Sequence, residues 1–113
     1  MNLETAFSID TSSIKYGPGV TREVGYEMRR LGAARVMVVT DPKLSDSDAV
    51  GVAMQSLRAE GIDAVLYDRV SVEPTDVSFQ EAADFAVEGG FDGFVAVGGG
   101  SSMDTAKAAN LYS

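Results

Sequence analysis

The sequence predicts an α/β fold, a parallel sheet flanked by helices in the Rossmann-like manner. Three observations carry this. Short apolar runs recur at Val36–Val39, Ala64–Tyr67 and Phe94–Val97, continuous rather than alternating, as in strands covered on both faces. Between them, apolar residues three and four apart give the period of helices. Glycine or proline punctuates the junctions, at Gly32, Pro42, Gly61, Gly89-Gly90 and Gly98-Gly99-Gly100. Strands that alternate with helices build a parallel sheet through right-handed crossovers.

In chain order, Phe7–Ile9 and Ile14–Tyr16 are β-prone pieces suited to a hairpin or an edge strand. Gly17-Pro18-Gly19 is a turn. Val20, Val24, Met28 and Leu31 mark one apolar helix face. Arg29 and Arg30 suit its last turn, and Gly32 its end. Val36–Val39 leads to Thr40-Asp41-Pro42. Ser45-Asp46-Ser47-Asp48 then offers N-caps to a helix over 48–60, with Val50, Ala53, Met54 and Leu57 inward. After Ala64–Tyr67 comes a loop over 70–74. Thr75 or Asp76 caps a third helix that buries Phe79, Ala82, Ala83 and Ala86 and ends at Gly89-Gly90.

The stretch Phe94–Lys107 is the chemical centre. An apolar strand runs into three glycines, and good helix formers follow from Ser102. In a strand–glycine loop–helix unit the loop amides and the first helical N–H groups converge on one spot, and the helix dipole favours negative charge there. Such a spot binds phosphate or another anion; a bare packing turn is the alternative. The spacing is neither G-x-G-x-x-G nor G-x-x-x-x-G-K-[ST].

Composition narrows the chemistry. The 113 residues suit one domain. A net charge of −8 argues against nucleic acid and anionic membrane surfaces as partners. No apolar run is long enough to span a bilayer. Without cysteine there are no disulfides and no thiolate metal ligands. Without histidine the usual neutral-pH base and the commonest metal ligand are missing. Catalysis within these residues falls to Asp, Glu, Lys, Tyr or Ser, and any metal site would be carboxylate-only. Met1–Asp10 carries Glu4 and Asp10 and no Arg, unlike a secretory signal or a mitochondrial presequence, so the expected location is cytoplasmic.

Candidate residues gather at the carboxyl ends of the strands, where open α/β sheets bind ligands. Asp41 can accept hydrogen bonds from ribose hydroxyls and repel a 2′-phosphate, favouring NAD over NADP, or it can make an Asx turn before Pro42. Ser101 and Ser102 can hold a phosphate, cap the helix, or both. Asp104 either compensates the dipole in the first turn or contacts a polar part of a cofactor. Lys107 pairs with Asp104 or stays a surface lysine. Glu73 sits in the loop before Pro74, as a ligand contact or a solvated side chain.

Gly98-Gly99-Gly100-Ser101 with Asp104-Thr105-Ala106-Lys107 resembles the iron-containing (group III) alcohol dehydrogenase family. Ile14-Lys15-Tyr16-Gly17, Val72-Glu73-Pro74-Thr75-Asp76 and Lys107-Ala108-Ala109-Asn110-Leu111-Tyr112 resemble its hydroxyacid–oxoacid transhydrogenase branch. The resemblance covers the chain from about Phe7 to Ser113. It implies an N-terminal α/β domain that binds NAD(P), followed by a helical domain that holds a divalent metal, iron, with one Asp and three His. It assigns adenosine ribose to Asp41, pyrophosphate to the loop Gly98, Gly99, Gly100, Ser101 and Ser102, the nicotinamide side to Asp104, and the adenine side to Glu73 and Thr75. Many members have Asn where Glu73 stands.

The expectation is therefore that residues 1–113 are the N-terminal, cofactor-placing part of a longer dehydrogenase, inactive alone, with no catalytic or metal-binding residue of its own. The whole would pass a hydride between a nicotinamide cofactor and a small alcohol or hydroxy acid, 4-hydroxybutyrate with 2-oxoglutarate as acceptor in the transhydrogenase branch. Two other readings stand beside it. One is a non-catalytic module that binds a phosphate or carboxylate ligand. The other is a fragment that binds nothing and self-associates into a homo-oligomer through apolar surface left by the missing half, an outcome that an open sheet edge favours.

Overall fold

The computed structural model describes residues 7–9, 13–15, 23–71 and 75–112. The expected turn at Gly17-Pro18-Gly19, the helix-face residue Val20 and the loop residue Glu73 lie outside them. The elements are β1 (Phe7–Ile9), β2 (Ser13–Lys15), α1 (Val24–Arg30), β3 (Arg35–Val39), α2 (Asp48–Ala59), β4 (Asp63–Tyr67), α3 (Asp76–Gly89), β5 (Gly93–Ala96) and α4 (Gly100–Tyr112). They form one five-stranded sheet in the order β2-β1-β5-β3-β4. β3 pairs in parallel with both β4 and β5. The β1–β2 hairpin joins antiparallel on the far side of β5.

The continuous apolar runs are explained by cover on both faces. Val36, Val38, Val95, Val97 and Ala64 point to one side and pack with Val24 and Met28 of α1 and Val50, Ala53 and Leu57 of α2. Met37, Val39, Tyr67, Phe94 and Ala96 point to the other and pack with Ala82 and Ala86 of α3 and Met103, Ala106 and Ala109 of α4. Burying an aliphatic side chain of this size stabilises by about 1.5–3 kcal/mol, so both layers are fixed by the strands between them.

Helix ends follow the local chemistry. The Ser47 hydroxyl accepts from Val50 N–H at the head of α2. Thr75 and Ser78 form a reciprocal capping box on α3, and Gly90 closes that helix in the left-handed conformation. Three expectations need correction. Leu31 is 52% exposed because α1 ends at Arg30 and the chain turns away. Phe79 is only partly buried, and Phe85, stacked on Phe91 and tilted against Tyr67, fills the aromatic part of that layer. The last helix begins at Gly100, not Ser102, because the glycine itself takes the first helical position.

Candidate functional site at the carboxyl edge

β3 and β5 end level with each other, Val39 opposite Ala96. Val97 N–H donates to Val39 C=O, and the buried Thr40 hydroxyl donates to Val97 C=O at 2.8 Å. Thr40 N–H donates to Tyr67 C=O on β4. The three parallel strands are thus tied together at their tips. Asp41 and Gly98, each two residues past the end of its strand, emerge at one edge.

Gly98 has φ +137°, and a Cβ there would lie 3.1 Å from Ser102 Oγ and 3.2 Å from Leu44 Cδ1. Only glycine suits that backbone and that space. Gly99 and Gly100 differ: a Cβ on either would meet nothing within 4 Å. Among the described residues nothing crowds those two positions, and their bareness leaves the loop open to an approaching ligand. Behind them α4 begins at Gly100, with its amino end turned toward the loop. Met103 N–H is the first to turn back, to Gly99 C=O.

Ser102 is 1% exposed, and its Oγ is the one buried side-chain oxygen without a hydrogen-bond partner among the described residues. A buried hydroxyl left so costs about 1–3 kcal/mol. Its place, at the head of α4 and against Gly98, is where an anion would supply the missing acceptor. Ser101 is half-buried, and its carbonyl accepts the Thr105 hydroxyl at 2.7 Å.

Asp41 does make the Asx turn: Oδ1 accepts from Lys43 N–H at 2.8 Å and Leu44 N–H at 3.0 Å. Both bonds fall on one oxygen, so Oδ2 keeps its accepting capacity. Thr75 stands at the same sheet edge at the head of α3, but its hydroxyl is used in the capping box. Asp104 is exposed and lies beyond the first turn of α4, so it does not compensate the dipole there. Lys107 is exposed and makes no ion pair with Asp104. The structure therefore brings together Asp41, Gly98, Gly99, Gly100, Ser101 and Ser102, with Thr75 and Asp104 at the margin. Two contributors escape sequence reasoning, Thr40 and Leu44: a threonine before Asp-Pro and a leucine in a turn carry no pattern that marks them. A cavity of about 220 Å³, lined by Leu44, Ser47, Asp48, Ala49 and Val97, adjoins the turn.

Among the described residues no three His, Cys, Asp or Glu side chains are grouped to hold a metal ion. The donors gathered at this edge among the described residues suit an anionic ligand.

The sequence profile of iron-containing alcohol dehydrogenases matches residues 11–113, and the chain belongs to that family. It is 55% identical over 107 residues, 95% of its length, to the mitochondrial hydroxyacid-oxoacid transhydrogenase of Homo sapiens, and 48% identical over 117 residues to the probable enzyme of Dictyostelium discoideum. It spans only about a quarter of those relatives, 23% and 21% of their lengths. Among solved structures it is similar to the alcohol dehydrogenase of Oenococcus oeni, with a TM-score of 0.73 and 32% identity over 81% of this chain and 24% of that one. It is likewise similar to the archaeal Red Sea brine pool alcohol dehydrogenase, with a TM-score of 0.74 and 30% identity over 94% of this chain and 26% of that one. The transhydrogenase relatives are mitochondrial, which overturns the expected cytoplasmic location. That expectation rested on what the first ten residues lack, and such a lack defines no compartment.

Proposed function

We propose that these residues place the dinucleotide of a metal-dependent dehydrogenase, with NAD as the cofactor. The observation that carries the reading is the buried, unpaired Ser102 hydroxyl beneath an open glycine loop at a helix head. In this reading the pyrophosphate lies over Gly98–Gly100. It accepts from the loop amides, the first N–H groups of α4 and Ser102. Asp41 Oδ2 accepts from the adenosine ribose hydroxyls, and its charge disfavours a 2′-phosphate. Thr75 and Asp104 stand nearer the ends of the cofactor, and the family likeness assigns Glu73 to its adenine side. The whole enzyme moves a hydride from the hydroxyl carbon of a small hydroxy acid to NAD, releasing a proton, and returns it to an oxo acid. The bound divalent metal would supply charge stabilisation at the substrate oxygen. None of the described residues is assigned to that step, and the 113-residue chain alone has no turnover.

Calorimetric titration of the chain with NADH, NADPH and inorganic phosphate tests this. Binding of NADH is expected to exceed that of NADPH, and Asp41→Ala should narrow the gap. Gly99→Ala should weaken NADH by about tenfold or more without loss of fold, since its side chain enters ligand space only. A folded chain that gives heat with phosphate and none with NADH overturns the reading.

A further inference from the structure

Leu44 joins two parts of the site that lie far apart in sequence. Its N–H donates to Asp41 Oδ1 at 3.0 Å, beside the Lys43 N–H at 2.8 Å. Its C=O accepts from the N–H of Ser47, the N-cap of α2, at 2.8 Å. The backbone of Leu44 is thus held on both sides. Its side chain reaches the other strand tip, where a Cβ on Gly98 would lie 3.2 Å from Leu44 Cδ1. The leucine fills space that Gly98 leaves, and with Val97 and Ala49 it walls the cavity of about 220 Å³. The Asx turn needs only the Leu44 N–H, which any residue but proline supplies. The side chain serves the contact with the glycine loop instead.

We propose, on the cofactor reading already given, that Leu44 is a positioning residue that sets the preference for NAD over NADP. Asp41 Oδ1 is fixed by the N–H groups of Lys43 and Leu44, and fixing one carboxylate oxygen fixes the direction of the other. Those two donors keep their places because Leu44 is packed against Gly98. Discrimination against a 2′-phosphate is a repulsion between like charges. It falls as their separation grows and as water and salt come between them. A shorter side chain at position 44 removes the packing, enlarges the cavity beside the turn and frees the carboxylate to swing. A 2′-phosphate is then tolerated, while the ribose hydroxyls lose a fixed acceptor. The pyrophosphate contacts at the glycine loop are common to both cofactors, so any change there leaves their ratio alone.

Calorimetric titration of the chain and its variants with NADH and NADPH tests this. Leu44→Ala should narrow the ratio of the two affinities about fivefold or more. Leu44→Met, close in volume, should keep it within about twofold of the parent. Leu57→Val removes a buried methylene from the same apolar layer near the other end of α2. It should leave the ratio unchanged whatever it does to stability, which separates aim from loose packing. In an Asp41→Ala background, Leu44→Ala should add nothing to the ratio, since both act through one carboxylate. If circular dichroism shows Leu44→Ala unfolded, Leu44→Val takes its place, with a smaller shift of the same sign. A parent that prefers NADH beside a folded Leu44 variant with the same preference overturns the proposal. So does equal narrowing in Leu57→Val, or an effect of Leu44→Ala that persists in full without Asp41. A parent with no heat for NADH overturns the cofactor reading and this proposal together, so the two failures are told apart.

Discussion

The two ends of the same three parallel strands are finished differently. At the amino end the chain satisfies itself. Asp92 accepts from Ala34 N–H at 2.9 Å and from Arg35 N–H at 2.9 Å, fastening the start of β3 to the approach to β5. Arg35 donates from Nε to Gly89 C=O at 2.6 Å, pairs with Asp63, and covers the Phe91 ring at 4.8 Å. At the carboxyl end the strand tips are tied as firmly by Thr40, yet Ser102 Oγ is unpaired, two glycines face open space, and Asp41 spends one oxygen. Charge at the amino edge is consumed in holding strands together. At the carboxyl edge, hydrogen-bonding capacity is held in reserve, as expected where open α/β sheets receive ligands.

Four substitutions break or sharpen this contrast. The largest effect is expected from Gly98→Val, which forces a branched residue to φ +137° against Ser102 and Leu44. It should cost about 3 kcal/mol or more in denaturant unfolding and abolish NADH binding. Asp92→Ala should cost about 2 kcal/mol, since it strips a carboxylate from two backbone donors, while NADH affinity stays within about twofold. Ser102→Ala should do the reverse. Stability holds or rises by up to about 1 kcal/mol, because an unpaired buried hydroxyl is removed, and NADH affinity falls about tenfold. If Ser102→Ala lowers stability as Asp92→Ala does, the two edges are alike and the contrast is lost.

The smallest effect concerns Tyr67. Burial pushes its phenol above the ordinary value of 10.0, against the pull of Arg69. The folded chain then holds that proton more tightly than the unfolded chain does. Its contribution is full below the unfolded value and is lost as pH rises through the folded one. Thermal melts from about pH 8 to about pH 11 should therefore show a decline that Tyr67→Phe reduces.

Much of this was legible in the sequence, for physical reasons that differ by residue. Val36–Val39 and Phe94–Val97 read as buried strands because no polar residue interrupts them. Gly98-Gly99-Gly100 read as the loop between a strand and a helix because three glycines separate an apolar run from good helix formers. Which side each valine faces was hidden, since a run apolar throughout carries no alternation. Leu31 and Phe79 were misplaced because a helical period does not report where a helix stops or how far its neighbours reach. Asp104 was set in the first turn because the glycine at position 100 did not look helical. Asp92 and Thr40 were invisible as fasteners, because their partners lie 57 or more residues away in sequence.

The Thr40 tie has one more consequence. A hydroxyl bonded across two strand tips holds the Asp41 turn and the glycine loop together, so the distance between them is set by the sheet itself. A clamp with fixed jaws measures length. On the proposed reading, dinucleotides lengthened by one phosphate in the bridge should be refused, and loosening the jaw with Thr40→Val should relax that ruler before it unfolds the chain.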